Sequence, residues 1–173
     1  MNMKETLDSA RAAIVAGKFP KNVCADNKKT GITILDNVPF LTCYGICPIR
    51  DKCYDVRILK LRPNVLKARA LRHYMIQMQP KLYGDMTIKE ITKRKATAVR
   101  VYGGGDFHPS HMVILHYIMD LMPHVTFYMI SKTIRNHPML AMALLTHPNF
   151  FLNLSECADY HFAEEWDDIA NHP

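Results

Sequence analysis

The chain has 173 residues, 49% hydrophobic and 22% charged, with 7 Gly and 10 Pro. This excludes a disordered chain, a collagen-like repeat and a coiled coil, and predicts one domain that buries roughly 70% of the surface exposed by its unfolded form. The formal charge of +6 is uneven: residues 50–100 carry fourteen Lys and Arg against Asp51, Asp55, Asp85 and Glu90, whereas 156–173 carry six acids and no Lys or Arg.

In chain order, residues 3 to 16 place Leu7, Ala10, Ile14 and Val15 on one side at helical spacing, and Gly17 stops the helix. A polar loop with Pro20 and Cys24 leads to Ile32-Thr33-Ile34-Leu35, whose β-branched content predicts a short strand. Three cysteines follow. Pro63 suits the first position of a helix whose apolar residues Val65, Leu66, Leu71, Met75 and Met78 recur as far as Pro80, and a shorter helix is expected over Thr87 to Arg94.

The second half reads as βαβαβ. Strands are expected at Ala98 to Tyr102, Val125 to Ile130 and Phe150 to Leu154, with helices at Pro109 to Met122 and Pro138 to Leu145 between them. Strands joined by helical crossovers are parallel, and loops at their carboxyl ends build sites. Those loops are 103–110, 131–136 and 155–160. The expected organisation is a single domain: an N-terminal helix and loop over 1–31, a parallel α/β core of about four strands over 32–155, and an acidic tail over 156–173.

No run approaches ~18 apolar residues and the amino-terminal segment lacks a signal-peptide core, so a cytosolic, reducing location away from membranes is expected. Five cysteines there are read as free thiols or metal ligands. Cys43, Cys47 and Cys53 fall within eleven residues, with Gly45 and Pro48 to bend the backbone. Three soft thiolates on one loop point to zinc or an iron–sulfur cluster. A single three-cysteine loop suits a [4Fe–4S] cluster with one iron left open; zinc would need a fourth ligand such as Cys24 or a His. Cys24 and Cys157 are each read as packed.

Gly103, Gly104 and Gly105 end a strand next to Asp106, which lets the backbone approach a bound amine, carboxylate or phosphate closely. The run is neither a P-loop nor a dinucleotide fingerprint. His108 and His111 could serve a site or cap the following helix. Ser131, Lys132, Thr133 and Arg135 could hold an anion together with the glycine turn, and Asn153, Ser155 and Glu156 should face the same cleft.

A three-cysteine loop after one strand and a glycine-rich acidic turn after the next resembles the radical S-adenosylmethionine (radical SAM) enzymes. The resemblance implies Cys43, Cys47 and Cys53 as ligands of a [4Fe–4S] cluster, and Gly103, Gly104, Gly105 and Asp106 as the turn that receives the amine of S-adenosylmethionine. Here the cysteine spacing is three residues and then five, with Tyr54 after the last cysteine; the superfamily has three and then two, with an aromatic before it. From about 27 to 153 the match is closer still. Asn27-Lys28-Lys29-Thr30-Gly31, the segment Thr42-Cys43 to Cys53-Tyr54, Arg62-Pro63-Asn64-Val65 and Gly105-Asp106-Phe107 make the chain similar to the phage-encoded gene product eighty-eight family. That implies a virus-encoded protein of the bacterial cytoplasm with a truncated parallel βα barrel.

A full eight-unit barrel takes about 250 residues, so the chain would hold a cluster and part of a cofactor site. A partner or a second copy would close the far wall. The leading expectation is an iron–sulfur protein of this kind, with S-adenosylmethionine as its candidate ligand and catalysis unassigned. The alternative is a zinc-stabilised module that binds nucleic acid or a host protein through the basic span 50–100.

Overall fold

The computed structural model describes residues 2–26, 30–43, 53–132, 134 and 137–155. Helix α1 (Met3–Val15) opens with a capping box: the Asn2 side chain accepts from Lys4 N–H and Glu5 reaches back to Asn2 N–H. Strands β1 (Ala25–Asp26) and β2 (Thr33–Leu35) form an antiparallel pair. The short helix α2 (Pro39–Thr42) then leads to the cysteine loop. Helices α3 (Tyr54–Leu61), α4 (Pro63–Met78) and α5 (Pro80–Arg94) follow the loop and precede β3 (Ala98–Val101). A 3₁₀ turn over Pro109–His111 opens α6 (Met112–Leu121), and β4 (Thr126–Ser131), α7 (Pro138–Leu145) and β5 (Phe150–Leu154) complete the chain order.

The five strands form one open sheet in the order β1-β2-β3-β4-β5, parallel from β2 onward. The expected parallel core of four strands is present, and β1 adds a fifth, antiparallel one. Consecutive parallel strands that always step the same way, with right-handed crossovers, put their helices on one face. Alternation along the strands agrees. Leu35, Val99, Val101, Phe127, Met129 and Phe150 all join one buried cluster with Met75, Ile76, Ile91, Ile118, Met119 and Leu144 from the helices. A smaller cluster of Ala10, Val38, Leu59, Leu66 and Ala70 fastens α1 and α3 to the outer side of α4.

The opposite face holds Ile34, Arg100, Tyr128 and Phe151, which lie side by side in register across β2, β3, β4 and β5. None of them belongs to either apolar cluster. Ile130 and Phe151 on that face are 41% and 55% exposed. Parallel sheets are ordinarily covered on both faces, and among the described residues no helix packs on this one.

Three local differences from the sequence reading have clear causes. The helix expected from Thr87 begins at Pro80, because Pro80 is the first residue of α5 rather than a stop. The strand expected to reach Tyr102 ends at Val101, since Tyr102 takes a left-handed conformation at φ +58°. The helix expected from Pro109 starts as a 3₁₀ turn, with the His108 side chain accepting from Ser110 N–H.

Candidate functional site

The carboxyl ends of the parallel strands open onto a cleft of about 240 Å³. Cys43 at the end of α2 and Cys53 at the start of α3 both line it, as do Gly103, Gly105, Asp106, Lys132 and Ser155. Five of the seven residues assigned to the cluster and the amine-binding turn, Cys43, Cys53, Gly103, Gly105 and Asp106, therefore meet in one place, while Gly104, Ser131 and Asn153 do not line it. Cys47 lies outside the described residues, as do Cys157, Thr133, Arg135 and Glu156. Cys24 does not line this cleft: it is 2% exposed, and burial, with help from Glu90, pushes its thiol up to about 12. Among the described residues no three His, Cys, Asp or Glu side chains group as a metal site.

The glycine turn is built into the protein on three sides. A Cβ on Gly103 would fall 2.3 Å from the Ile34 side chain, and one on Gly104 would fall 2.3 Å from the Arg69 guanidinium. Gly105 sits at φ +78°, and its Cβ would meet Thr42 Oγ1 at 2.4 Å. Backbone bonds continue the sheet into the turn, with Tyr102 N–H donating to Leu35 O at 2.8 Å and Asn37 N–H to Gly104 O at 2.9 Å. Each glycine is thus required by a close approach of β2, α4 or α2.

The acids of the cleft are engaged within the protein. Asp106 Oδ1 accepts from Phe107 N–H at 2.6 Å and from the Ser131 hydroxyl, and Oδ2 accepts from Lys132 N–H at 2.9 Å. This carboxylate therefore ties the end of β3 to the end of β4. Asp55 Oδ1 pairs with Arg69 Nη1 at 2.7 Å, and its Oδ2 accepts from Gly105 N–H at 3.0 Å. Arg69 also reaches Asp36 at 3.3 Å, so one buried guanidinium joins β2, α3 and the glycine turn.

The cations of the cleft differ. Lys132 is hydrogen-bonded to the Ser155 hydroxyl. Arg100, which also lines the cleft, has a buried Nε with no hydrogen-bond partner. Neither forms an ion pair among the described residues. Most of the half-buried or buried arginines of the basic span are consumed internally: Arg72 donates to the carbonyls of Asn22 and Cys24, and Arg94 binds Glu90 and Asp26.

Behind Tyr102 lies a group of histidines. The Tyr102 hydroxyl is hydrogen-bonded to His111 Nδ1 at 2.7 Å, and the His111 ring lies 5.5 Å from His108 and 6.3 Å from His73. Burial lowers His111 to about 3 and His73 to about 4, with His108 adding to both, and burial pushes the Tyr102 phenol well above its usual range. These histidines are neutral packing groups at physiological pH.

Sequence reasoning missed Asp55, Arg100, Tyr102 and Ile130 as cleft residues. Arg100 had one visible signal, a charge between Val99 and Val101 in an otherwise apolar strand.

The fold and site define a class: an open, singly wound α/β protein with a small cleft where a cysteine loop meets a glycine turn. The chain belongs to the Gene product 88 family, whose model matches residues 3–170. No curated protein and no solved structure matches the chain. Among the described residues no helix is long and apolar enough to cross a membrane.

Proposed function

We propose that this is a phage-encoded iron–sulfur protein of the host cytoplasm, in which Cys43, Cys47 and Cys53 hold a [4Fe–4S] cluster. One observation carries the reading: Cys43 and Cys53, from opposite ends of one loop, line the same cleft as the glycine turn at the carboxyl ends of parallel strands. Both thiols are partly exposed, and that donor chemistry fits a soft metal centre. A cluster with one iron free of cysteine supplies a Lewis-acidic, one-electron redox centre when bound.

The single winding direction, and a sheet face on which no described helix packs, support a truncated barrel like the radical SAM core, with a partner or second copy supplying the far wall. In this reading Gly103, Gly104, Gly105 and Asp106 receive the amine of S-adenosylmethionine. The cleft is smaller than the ≈300–1,000 Å³ typical of drug-sized ligands, which suits part of such a cofactor. No residue is assigned a catalytic role.

Anaerobic reconstitution with iron and sulfide tests the proposal. The expected result is absorbance near ~400 nm that is lost in Cys43→Ser and in Cys53→Ser. A wild-type protein that stays colourless contradicts it.

A second reading is a zinc-stabilised module binding nucleic acid or a host protein. It rests on the exposed Arg57, Lys60, Arg62 and Lys67 of α3 and α4, which form no ion pair among the described residues. DNA or RNA binding that weakens steeply with salt would favour it.

A further inference from the structure

We infer that the face of the sheet on which no described helix packs binds a small organic anion: a carboxylate or phosphate carried on a flat apolar body, with Arg100 as its anchor. This goes beyond the cluster proposal and is argued from Arg100 and its neighbours, in the cleft that Cys43 and Cys53 also line.

Placement comes first. Arg100 sits in β3, an interior strand flanked by β2 and β4, on the face without helices, and its register neighbours are Ile34 and Tyr128. A guanidinium at such a position loses much of its water. Its Nε is fully enclosed and bonded to nothing, a state that costs free energy unless a ligand supplies the acceptor.

The charge balance of the cleft points to an anion. Asp55 and Asp106 are the acids in its wall, and the carboxylates of both already accept hydrogen bonds from backbone or side chains of the protein. Arg100 and Lys132 are the cations in the same wall, and neither is neutralised by an acid among the described residues. Contrast within the same span is informative, because Arg69, Arg72 and Arg94 all meet internal acceptors. The planar guanidinium fork matches the two oxygens of a carboxylate or phosphate, and Lys132 adds a point charge at the carboxyl end of β4.

The body of the ligand follows from the neighbours. Tyr128 lies beside Arg100 and Phe151 beside Tyr128, while Ile130, on the same face, lines the cleft with Arg100. Ile130 at 41% exposure offers apolar surface in the same cleft wall as the charge, and Phe151 at 55% extends the apolar row beyond Tyr128. A guanidinium in line with aromatic rings favours a flat ligand that can stack. The cleft volume of about 240 Å³ limits it to a small molecule.

The test is calorimetric titration of the full chain with phenyl phosphate, phenylacetate and uncharged 2-phenylethanol at low ionic strength. Binding of either anion, with none of the neutral compound, is expected, and the anion that binds names the head group. Arg100→Gln should weaken binding at least about tenfold and Arg100→Lys should recover part of the loss. If Arg100→Gln fails to fold, Ile130→Asp, at an exposed position of the same cleft wall, should abolish binding of the anion. The titrations use protein free of iron and sulfide, so a failure to reconstitute the cluster leaves their outcome unaffected. Wild type binding neither anion at millimolar concentration, equal binding of the neutral compound, or affinity unchanged in Arg100→Gln or in Ile130→Asp would overturn the inference.

Discussion

Replacing Arg69 by Met keeps most of the side-chain volume of α4 and removes one charge that three segments share. The guanidinium is 8% exposed and binds Asp55 at 2.7 Å and Asp36 at 3.3 Å, carboxylates that are 17% and 13% exposed. Removing one partner of a buried pair costs about 3–5 kcal/mol, mostly because the remaining charge is left enclosed. At about 2–4 °C per kcal/mol for a chain of this size, the melting temperature should fall by about 6–20 °C. The loss should also reach the cleft, because Asp55 stands two residues after Cys53 and holds Gly105 N–H at 3.0 Å. Urea denaturation of wild type, Arg69→Met, Asp55→Asn and the double variant gives the coupling directly. The double variant should be more stable than Arg69→Met alone, since it no longer buries an unpaired carboxylate at that position. A loss below about 1 kcal/mol in Arg69→Met, or strict additivity with Asp55→Asn, would refute this account of the turn.

Gly104→Ala should mimic that damage without touching a charge, since the new methyl would enter the Arg69 guanidinium; a thermal melt indistinguishable from wild type would show that the turn is looser than its contacts indicate. Stability should fall as pH drops below the ordinary histidine range. His111 and His73 titrate at about 3 and about 4 when folded against 6.5 when unfolded, so between those values the unfolded chain binds more protons. Each contributes a loss of about 2 kcal/mol between pH 7 and pH 5. Urea melts at pH 7 and pH 5 should show this in wild type and much less of it in His73→Leu/His111→Leu. Cys24 should resist iodoacetamide in the native, metal-free protein while the partly exposed Cys43 and Cys53 react, because the Cys24 thiol is buried and pushed up to about 12; mass mapping that finds Cys24 labelled before Cys43 and Cys53 would contradict its placement.

The parts of the fold readable from sequence were those with a strong local pattern. Val99 and Val101, Phe127 and Met129, and the helix at Pro138–Leu145 signal their elements through alternation or spacing. Strand β1 has only Ala25 and Asp26 and exists because β2 pairs with it, so no local signal marks it. Helix α3 has its N-cap at Cys53, without a side-chain capping bond, and was hidden beside the cysteine loop. Pro80 read as a stop because proline both ends and begins helices.

The site was half legible. Cys43, Cys53, Gly103, Gly105, Asp106 and Lys132 were identified by residue type and strand-end position, and they line one cleft. Arg100 and Tyr128 could not be assigned to a site from sequence, because which strand face meets solvent depends on all crossovers running the same way. The glycines also carry a structural duty that their sequence does not reveal: each one touches a different neighbouring element. The apparent excess of basic residues resolved in the same manner, with Arg69, Arg72 and Arg94 turned inward to hold the chain around α4 and α5.

The central claim concerns what Cys43, Cys47 and Cys53 hold. Iron, acid-labile sulfide and zinc measured per chain on protein prepared anaerobically test it most directly. The account predicts about four iron and four sulfide with negligible zinc, falling to background when Cys43 and Cys53 are both replaced by serine. One zinc per chain with no sulfide would contradict it.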